Sequence, residues 1–368
     1  MAEYAAVNAV AAGSIQAING VAKSSAAAVN GATTPSSGST QWGIVNDNGG
    51  AGYAATSDLT SWTTYMATAN ESTDYKSITY GKDGSGNPRW VIIWGENSSE
   101  VQYSDDITDT SGWTDVDFAD NPLPWDSAWG NNVWVAIGTQ SGSAGKHLWR
   151  STDGASWAKV DLSGISGFGT EVVKGIATDG AGTWMFGQLD RLYQSTDDGQ
   201  TWSEAVDFND SDIAGIRNIE YTNSTWVIMF QDTGAGGGAM VRTAAAGDRT
   251  DWSTAQDLSI GASATRFACG DGVCLFIISD DVRKATVSGK TCTLATYTAN
   301  QLPAGSGKSA QNIATDGTGT FVVVGSGGTV QTTTDNGANW TLSVDGLDQP
   351  DDNNVKIRDV AANVYMPV

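Results

Sequence analysis

A short pattern, Ser/Thr-x-Asp followed by Gly and then Trp, recurs along this chain and constrains its fold more than any other feature. Each copy has an Asp that can accept backbone N–H groups in a turn, a Gly that tolerates positive φ, and a Trp that can lie over the turn. The pattern therefore predicts hairpin turns of one construction, repeated through an all-β chain. The three clearest copies contain Ser151, Asp153, Gly154 and Trp157; Ser195, Asp197, Gly199 and Trp202; and Thr332, Asp335, Gly337 and Trp340.

Looser copies of the pattern occupy residues 57–62, 104–113 and 243–252. Together these turns resemble the Asp-box, or BNR repeat, of sialidases, sortilin-type receptors and the photosystem II assembly-factor propellers. The resemblance implies a β-propeller with the Trp side chains packed at the blade periphery. An Asp-box is a folding device, so the resemblance implies no particular ligand or reaction.

A longer unit of four strands, a to d, surrounds each turn. Strand b is a continuous apolar run, which is typical of a strand buried on both faces. Seven such runs occur, at residues 41–45, 89–94, 133–137, 183–186, 225–230, 273–278 and 320–324. Strands of type a are expected to begin near Tyr75, Trp125, Val173, Ile216, Thr265, Ala310 and Lys356. The period of these units is that of a propeller blade.

The two ends of this repeat complete one another. The last a strand, residues 356–362, has no b, c and d strands after it, and the first b strand, at Trp42, has no a strand before it. Pairing the two leaves no open blade edge. The sequence therefore predicts an all-β seven-bladed β-propeller over residues 39–368, closed by the C-terminal strand, with residues 1–38 as a separate segment. The unit at residues 282–294 lacks the Asp, so other contacts must hold its hairpin.

Residues 1–38 contain three near copies of an Ala/Val/Ile run ending in Asn, with Asn8, Asn19 and Asn30 at equal spacing. Asn-Gly after such a run favours extended pieces with tight turns over an 11-residue helical repeat, because glycine weakens a helix. A segment with so few large apolar groups needs a surface to pack on, either a partner chain or its own propeller. It resembles repeats at the start of tailed-phage structural proteins. We expect partner docking through Ile15, Ile18, Asn19, Val21, Val29 and Asn30.

The net charge of the chain excludes some classes of binding partner, and its cysteines allow more than one redox state. A formal net charge of −22 argues against nucleic acid and anionic membranes, which bind cationic surfaces. No signal peptide and no membrane-spanning run is visible in the sequence. Cys269, Cys274 and Cys292 are expected as buried thiols, with a Cys269–Cys274 or Cys269–Cys292 bridge as the alternative.

Sialidase-type catalysis is the first enzymatic reading that the resemblance implies, and its arginine motif near the N-terminus is absent here. Arg217, Arg266 and Arg358 fall on or beside a strands near the axis, where a salt-bridged structural role is expected. Glu220 and Tyr221 are adjacent in sequence, so a strand points them to opposite faces. The single histidine, His147, argues against histidine-based triads and most zinc sites.

Acidic loops and two tryptophans are the remaining candidates for binding sites in the sequence. The acidic loops at residues 207–212 and 348–352 could bind Ca²⁺, but solvated loop charge is the favoured interpretation. Trp125 and Trp129 are candidate surface residues for binding a sugar or protein. No catalytic residue, metal or cofactor is expected.

The sequence thus favours a non-enzymatic structural or recognition module of a larger assembly. The expected setting is a tailed-phage virion, as a decoration, tail or fibre component, with other structural chains and a host glycan or protein as partners. A glycan-active enzyme or lectin of the sialidase-like fold is the alternative, since 41 acidic residues could supply a carboxylate pair.

Overall fold

The computed structural model describes two compact units, Met1–Thr40 and Gln41–Val368. The described part comprises residues 17–18, 21–22, 28–29, 32–33, 40–47, 53–65, 75–94, 100–109, 113–118, 122–140, 143–165, 168, 173, 175–210, 212–233, 238–258, 266–278, 281–296, 302, 309–345, 347 and 356–364. Its regular structure consists of strands, and within it there is no helix long and apolar enough to cross a membrane.

The first unit contains two short antiparallel hairpins. Strand β1 (Ala17–Ile18) pairs with β2 (Val21–Ala22), and β3 (Ala28–Val29) pairs with β4 (Ala32–Thr33). Each hairpin has two residues between its strands, Asn-Gly in both cases, which is the preferred sequence for a type I′ turn. The two hairpins repeat at the 11-residue spacing seen in the sequence.

The second unit begins with three strands, β5 (Trp42–Asp47), β6 (Tyr53–Thr56) and β7 (Thr63–Tyr65). Six four-stranded antiparallel sheets follow, each made of strands consecutive in the chain. Their strands are β8 (Tyr75–Lys82), β9 (Pro88–Trp94), β10 (Glu100–Ser104) and β11 (Thr114–Asp117); β12 (Pro122–Gly130), β13 (Val133–Gln140), β14 (Ser143–Ser151) and β15 (Ala158–Lys159); β16 (Ile176–Thr178), β17 (Trp184–Gln188), β18 (Arg191–Ser195) and β19 (Ser203–Asp207); β20 (Ile213–Thr222), β21 (Thr225–Asp232), β22 (Ala239–Ala245) and β23 (Gln256–Asp257); β24 (Arg266–Gly270), β25 (Val273–Ile278), β26 (Asp281–Ser288) and β27 (Thr291–Leu294); and β28 (Ala310–Thr315), β29 (Phe321–Gly325), β30 (Thr329–Thr333) and β31 (Thr341–Val344).

A composite sheet completes the ring. The last strand, β32 (Lys356–Ala362), pairs antiparallel with β5 and gives the order β32-β5-β6-β7. The first strands of successive sheets contact one another in the order β8, β12, β16, β20, β24, β28, β32 and back to β8. The chain thus forms a β-propeller with six blades, rather than seven, that are each continuous in sequence. The remaining sheet, β32-β5-β6-β7, is composite, because its strands come from both ends of the unit.

The core lies between the blades and is centred on the second strand of each. These strands are buried on both faces, as their apolar runs predict. Each has one large residue among its first three positions that is almost fully buried. These residues are Trp42, Trp90, Trp134, Trp184, Trp226 and Phe321, and Cys274 takes this position in the sheet that lacks the Asp turn.

The cysteines differ from the expectation of three buried thiols. Cys269 and Cys274 are register partners across the β24–β25 hairpin, with Cα atoms 4.1 Å apart, and they form a disulfide. Cys292 is the free thiol, and burial raises its pKa to about 11. Since Cys274 stands where the other blades have a large aromatic residue, the disulfide supplies a cross-link to the one hairpin that lacks that packing.

Candidate binding site around the propeller axis

The Asp of each repeated turn holds its hairpin from within. Asp153 Oδ1 accepts the Ser151 hydroxyl at 2.9 Å and the backbone N–H groups of Ala155 and Ser156 at 2.8 and 2.7 Å. The Gly154 N–H donates to Ser151 Oγ, and the Trp157 indole N–H donates to the Gly154 carbonyl. Burial alone would raise the pKa of Asp153, but the donors of the turn outweigh it and lower that pKa.

The turn at Asp197 repeats this arrangement. Asp197 accepts the Ser195 hydroxyl and the Thr201 N–H, and the Trp202 indole donates to the Gly199 carbonyl at 3.0 Å. Gly199 has φ of 75°, a conformation that favours glycine. Every donor lies within the hairpin, so the geometry is that of a turn acceptor.

The third turn requires a correction. The hydroxyl that donates to Asp335 Oδ1 belongs to Thr333, at 2.7 Å, whereas Thr332 exchanges a hydrogen bond with the Ser343 hydroxyl. Asp335 also accepts the N–H of Asn339, and these bonds lower its pKa to about 2. The hydroxyl must stand two residues before the Asp, as Ser151 and Ser195 do, and Thr332 stands three before.

Replacing Asp197 by Ala should destabilise the propeller by about 1–3 kcal/mol, because the Thr201 N–H and the Ser195 hydroxyl lose their acceptor. Thermal and urea unfolding of Asp197→Ala beside Asp117→Asn, an exposed acid on β11, measures the difference. A full-stability Asp197→Ala protein would show that this carboxylate does not hold the turn.

The innermost strands carry a second repeat, which sequence inspection for catalytic motifs missed. In five of them an extra residue forms a β-bulge and is followed by a polar residue, and in four of these five the next residue is apolar. We call the five bulged residues the bulge ring. Its members are Lys76, Trp125, Arg217, Gln311 and Arg358, and the residues after them are Ser77, Asp126, Asn218, Asn312 and Asp359.

The residues after the bulges fasten adjacent blades to each other. Asp359 Oδ2 accepts the N–H of Ile78 in the next blade at 2.8 Å, and Asn312 Nδ2 donates to Asp359 Oδ1 at 2.5 Å from the preceding blade. Asn218 Nδ2 donates likewise to the Phe267 carbonyl at 2.9 Å. Short polar side chains are required here because they must reach backbone groups of a neighbouring strand.

A charged group lies among these residues around the axis. We call Asp126, Glu220 and Asp359 the axial carboxylates, and each interacts electrostatically with the guanidinium of Arg266. Burial raises the pKa of Asp126 to about 6, although Arg266 opposes the rise. Burial, together with the charge of Asp126, raises the pKa of Glu220 to about 8 and that of Asp359 to about 7. Three carboxylates therefore share one nearby guanidinium.

The bulge ring is cationic in an otherwise acidic protein. Three of its five members are Lys or Arg and none is acidic. The Lys76 ammonium lies 5.5 Å from the centre of the Trp125 ring in the adjacent blade. Arg266 links the ring to the axial carboxylates, because its guanidinium donates to the Arg217 carbonyl at 3.0 Å.

The predicted site residues fall in different places. Trp125 belongs to the bulge ring, whereas Trp129 packs edge-on to the buried Trp134 and belongs to the interblade core. Arg217 donates to the side-chain amide oxygen of Gln231 at 2.7 Å, so this contact is not the expected salt bridge.

The residues predicted to dock a partner fall in the N-terminal unit. Ile18, Val21 and Val29 lie in strands β1, β2 and β3, while Ile15, Asn19 and Asn30 lie outside the described residues.

The residues around the axis that the structure describes do not form a metal cluster. In the described part of the chain there is no group of three or more His, Cys, Asp or Glu side chains that could hold a metal ion. Tyr221 packs on Trp226 of the neighbouring strand, and Glu220 interacts with Asn218 and Arg266. The arrangement around the axis therefore consists of buried carboxylates that interact with the Arg266 guanidinium.

Comparison with known proteins supports the fold. No protein-family model and no curated protein sequence matches the chain. Among solved structures it is similar to YCF48 bound to a D1 peptide, with a TM-score of 0.53 and 13% identity over 78% of this chain and 87% of that one. It is also similar to apo AztD from Citrobacter koseri, with a TM-score of 0.54 and 10% identity over 89% of this chain and 100% of that one. The β-propeller domain of Cps50 (Swd1) from Myceliophteria thermophila gives 0.51 and 11% over 77% and 93%. At these identities the likeness shows a β-propeller and no shared activity.

Proposed function

We propose that this protein is a non-enzymatic structural and recognition module of a larger assembly. Its N-terminal unit anchors it to other structural chains, and the propeller, whose six continuous blades and composite sheet form one closed seven-bladed ring, is displayed outward. The setting we propose is a tailed-phage virion, in which the protein is a decoration, tail or fibre component.

The observation that carries this proposal is the construction of the N-terminal unit. Residues 1–40 form a compact unit, and its described strands form two hairpins of two register pairs each. A hairpin of that size is not stable alone, because few pairs and little side-chain area offset the ordering of the chain. Equal spacing would let each hairpin meet an equivalent site on a symmetric partner.

The propeller is suited to recognition rather than to anchoring. Its ring is closed by β32, so its blades have no end that requires another chain. The YCF48 structure that it resembles holds a peptide, which supports a protein as the partner of a propeller surface. In this chain we assign that role to the surface around the axis, where charged side chains from several blades lie close together.

Deleting residues 1–40 should leave a folded propeller that no longer joins the assembly, since the chain from Gln41 onward is a compact unit of its own. The test is the fraction of protein that co-sediments with assembled particles, with circular dichroism to establish folding. Full-length Asp117→Asn, altered at an exposed acid of the propeller, should co-sediment like the wild type. Normal incorporation of the folded deletion variant would refute the anchor.

A further inference from the structure

We propose that the bulge ring binds an acidic peptide segment of a partner chain, and that the axial carboxylates make this binding stronger at acidic pH. This inference rests on the proposed function, since it names the partner chemistry and the regulation of the recognition surface. The inference can be wrong while the proposed function holds, because the N-terminal anchor does not depend on what the bulge ring binds.

Charge complementarity identifies the occupant. The protein as a whole carries −22, yet the bulge ring presents Lys76, Arg217 and Arg358 with no acid among its members. Guanidinium and ammonium groups bind carboxylates by charge-assisted hydrogen bonds. One face of the Trp125 ring is covered by the Lys76 ammonium, so it is less suited to stacking on a sugar than to a charged peptide.

The proton linkage follows from the position of Arg266. Its guanidinium touches the ring through the Arg217 carbonyl and also interacts with all three axial carboxylates. When these carboxylates are ionised they hold Arg266 and repel an incoming anion. When they are protonated, both effects disappear, and the net charge of Lys76, Arg217, Arg266, Arg358 and the three carboxyls rises from +1 (four cations and three anions) to +4 (four cations).

We assign the following charged groups of the innermost strands to this site. The titratable or charged residues are Lys76 from β8, Asp126 from β12, Arg217 and Glu220 from β20, Arg266 from β24, and Arg358 and Asp359 from β32; β28 supplies the neutral Gln311 and Asn312, and the described residues of β16 supply no titratable side chain. The charged groups of the site thus come from five of the seven innermost strands, so the assembled ring is required.

The test is isothermal titration of the full chain with a hexaglutamate peptide, and with hexaglutamine as the uncharged control. The wild type should bind hexaglutamate about tenfold more tightly at about pH 5.5 than at about pH 8.5, and should not bind hexaglutamine. Arg217→Gln and Lys76→Gln should each weaken binding about fivefold at the acidic pH. Arg191→Gln, which removes a cation from an exposed ion-pair network on β18, should leave it unchanged.

A second pair of variants isolates the proton linkage. Glu220→Gln should bind more tightly than the wild type at about pH 8.5 and so reduce the pH ratio by half or more, whereas Asp117→Asn should keep the wild-type ratio. Absent binding, or equal weakening by Arg191→Gln and Arg217→Gln, would overturn the ring as the site. Equal pH ratios in Glu220→Gln and Asp117→Asn would overturn the linkage. Arg217→Gln should co-sediment with particles like the wild type. This result distinguishes a failure of the peptide-binding proposal from a failure of the anchor proposal.

Discussion

A chain that ends at Val355, and so lacks β32, should lose its cooperative fold. The innermost strand of the composite sheet would be missing, and with it the buried side chains of Ile357 and Val360. Removal of Asp359 would also leave the Ile78 N–H of the next blade without its acceptor. We expect a loss of more than about 3 kcal/mol in unfolding free energy, which is a large share of the stability of an ordinary domain.

The measurement is thermal unfolding followed by circular dichroism and tryptophan fluorescence. A chain ending at Val364 is the matched control, since it keeps β32 and the hydrogen bonds between Asn363 and Gln41, and it should unfold like the full chain. A synthetic peptide of residues 356–364 should restore structure to the shorter chain. An unchanged melting temperature for the chain that ends at Val355 would show that β32 does not close the ring.

The second large effect concerns the pH dependence of stability. In the folded protein the pKa values of Asp126, Glu220 and Asp359 are about 6, 8 and 7, all above their ordinary values. At any pH between the ordinary and the raised pKa values, the folded state binds more protons than the unfolded chain does. The contribution of these three carboxyls to stability is therefore fully present below their ordinary pKa values, and it is lost as the pH rises through about 6 to 8.

Glu220→Gln should remove part of this loss, because the amide resembles the protonated acid and cannot ionise. Its unfolding free energy relative to the wild type should grow by about 2 kcal/mol between about pH 5 and about pH 8.5. Urea unfolding across that range measures the difference. Asp117→Asn controls for the loss of one negative charge and should follow the wild type. Parallel curves for Glu220→Gln and the wild type would contradict the assignment of Glu220.

The parts of the fold that could be predicted from the sequence are those encoded by local pattern. The apolar b runs predicted the second strand of each sheet, and the unmatched strands at both ends predicted the pairing of β32 with β5. The Ser/Thr-x-Asp turns were predicted with one error at Thr332, where three successive threonines offered the hydroxyl. Local hydrogen bonding needs no knowledge of distant residues, so these features can be read from short segments.

The axial site could not be predicted in the same way. Asp126, Glu220 and Asp359 are far apart in sequence and meet only when the ring has formed. Their signal was the short repeat of a bulged residue, a polar residue and an apolar residue, which is visible as Arg217-Asn218-Ile219 and Gln311-Asn312-Ile313. The sequence favoured three buried thiols, with the Cys269–Cys274 disulfide as one of two alternatives; the structure contains that disulfide, because the strand register brings the two cysteines opposite each other.

The central claim is that the N-terminal unit contacts another structural chain in the assembly. The most direct measurement places a photoreactive benzoylphenylalanine at Val21 in β2, or at the exposed Leu189 of the propeller, and irradiates intact particles. Mass spectrometry of the cross-linked products then identifies what each position touches. The account predicts that position 21 forms one defined cross-link to another structural chain, and that position 189 does not cross-link to that chain. Cross-links from position 21 only to the propeller of its own chain would contradict it.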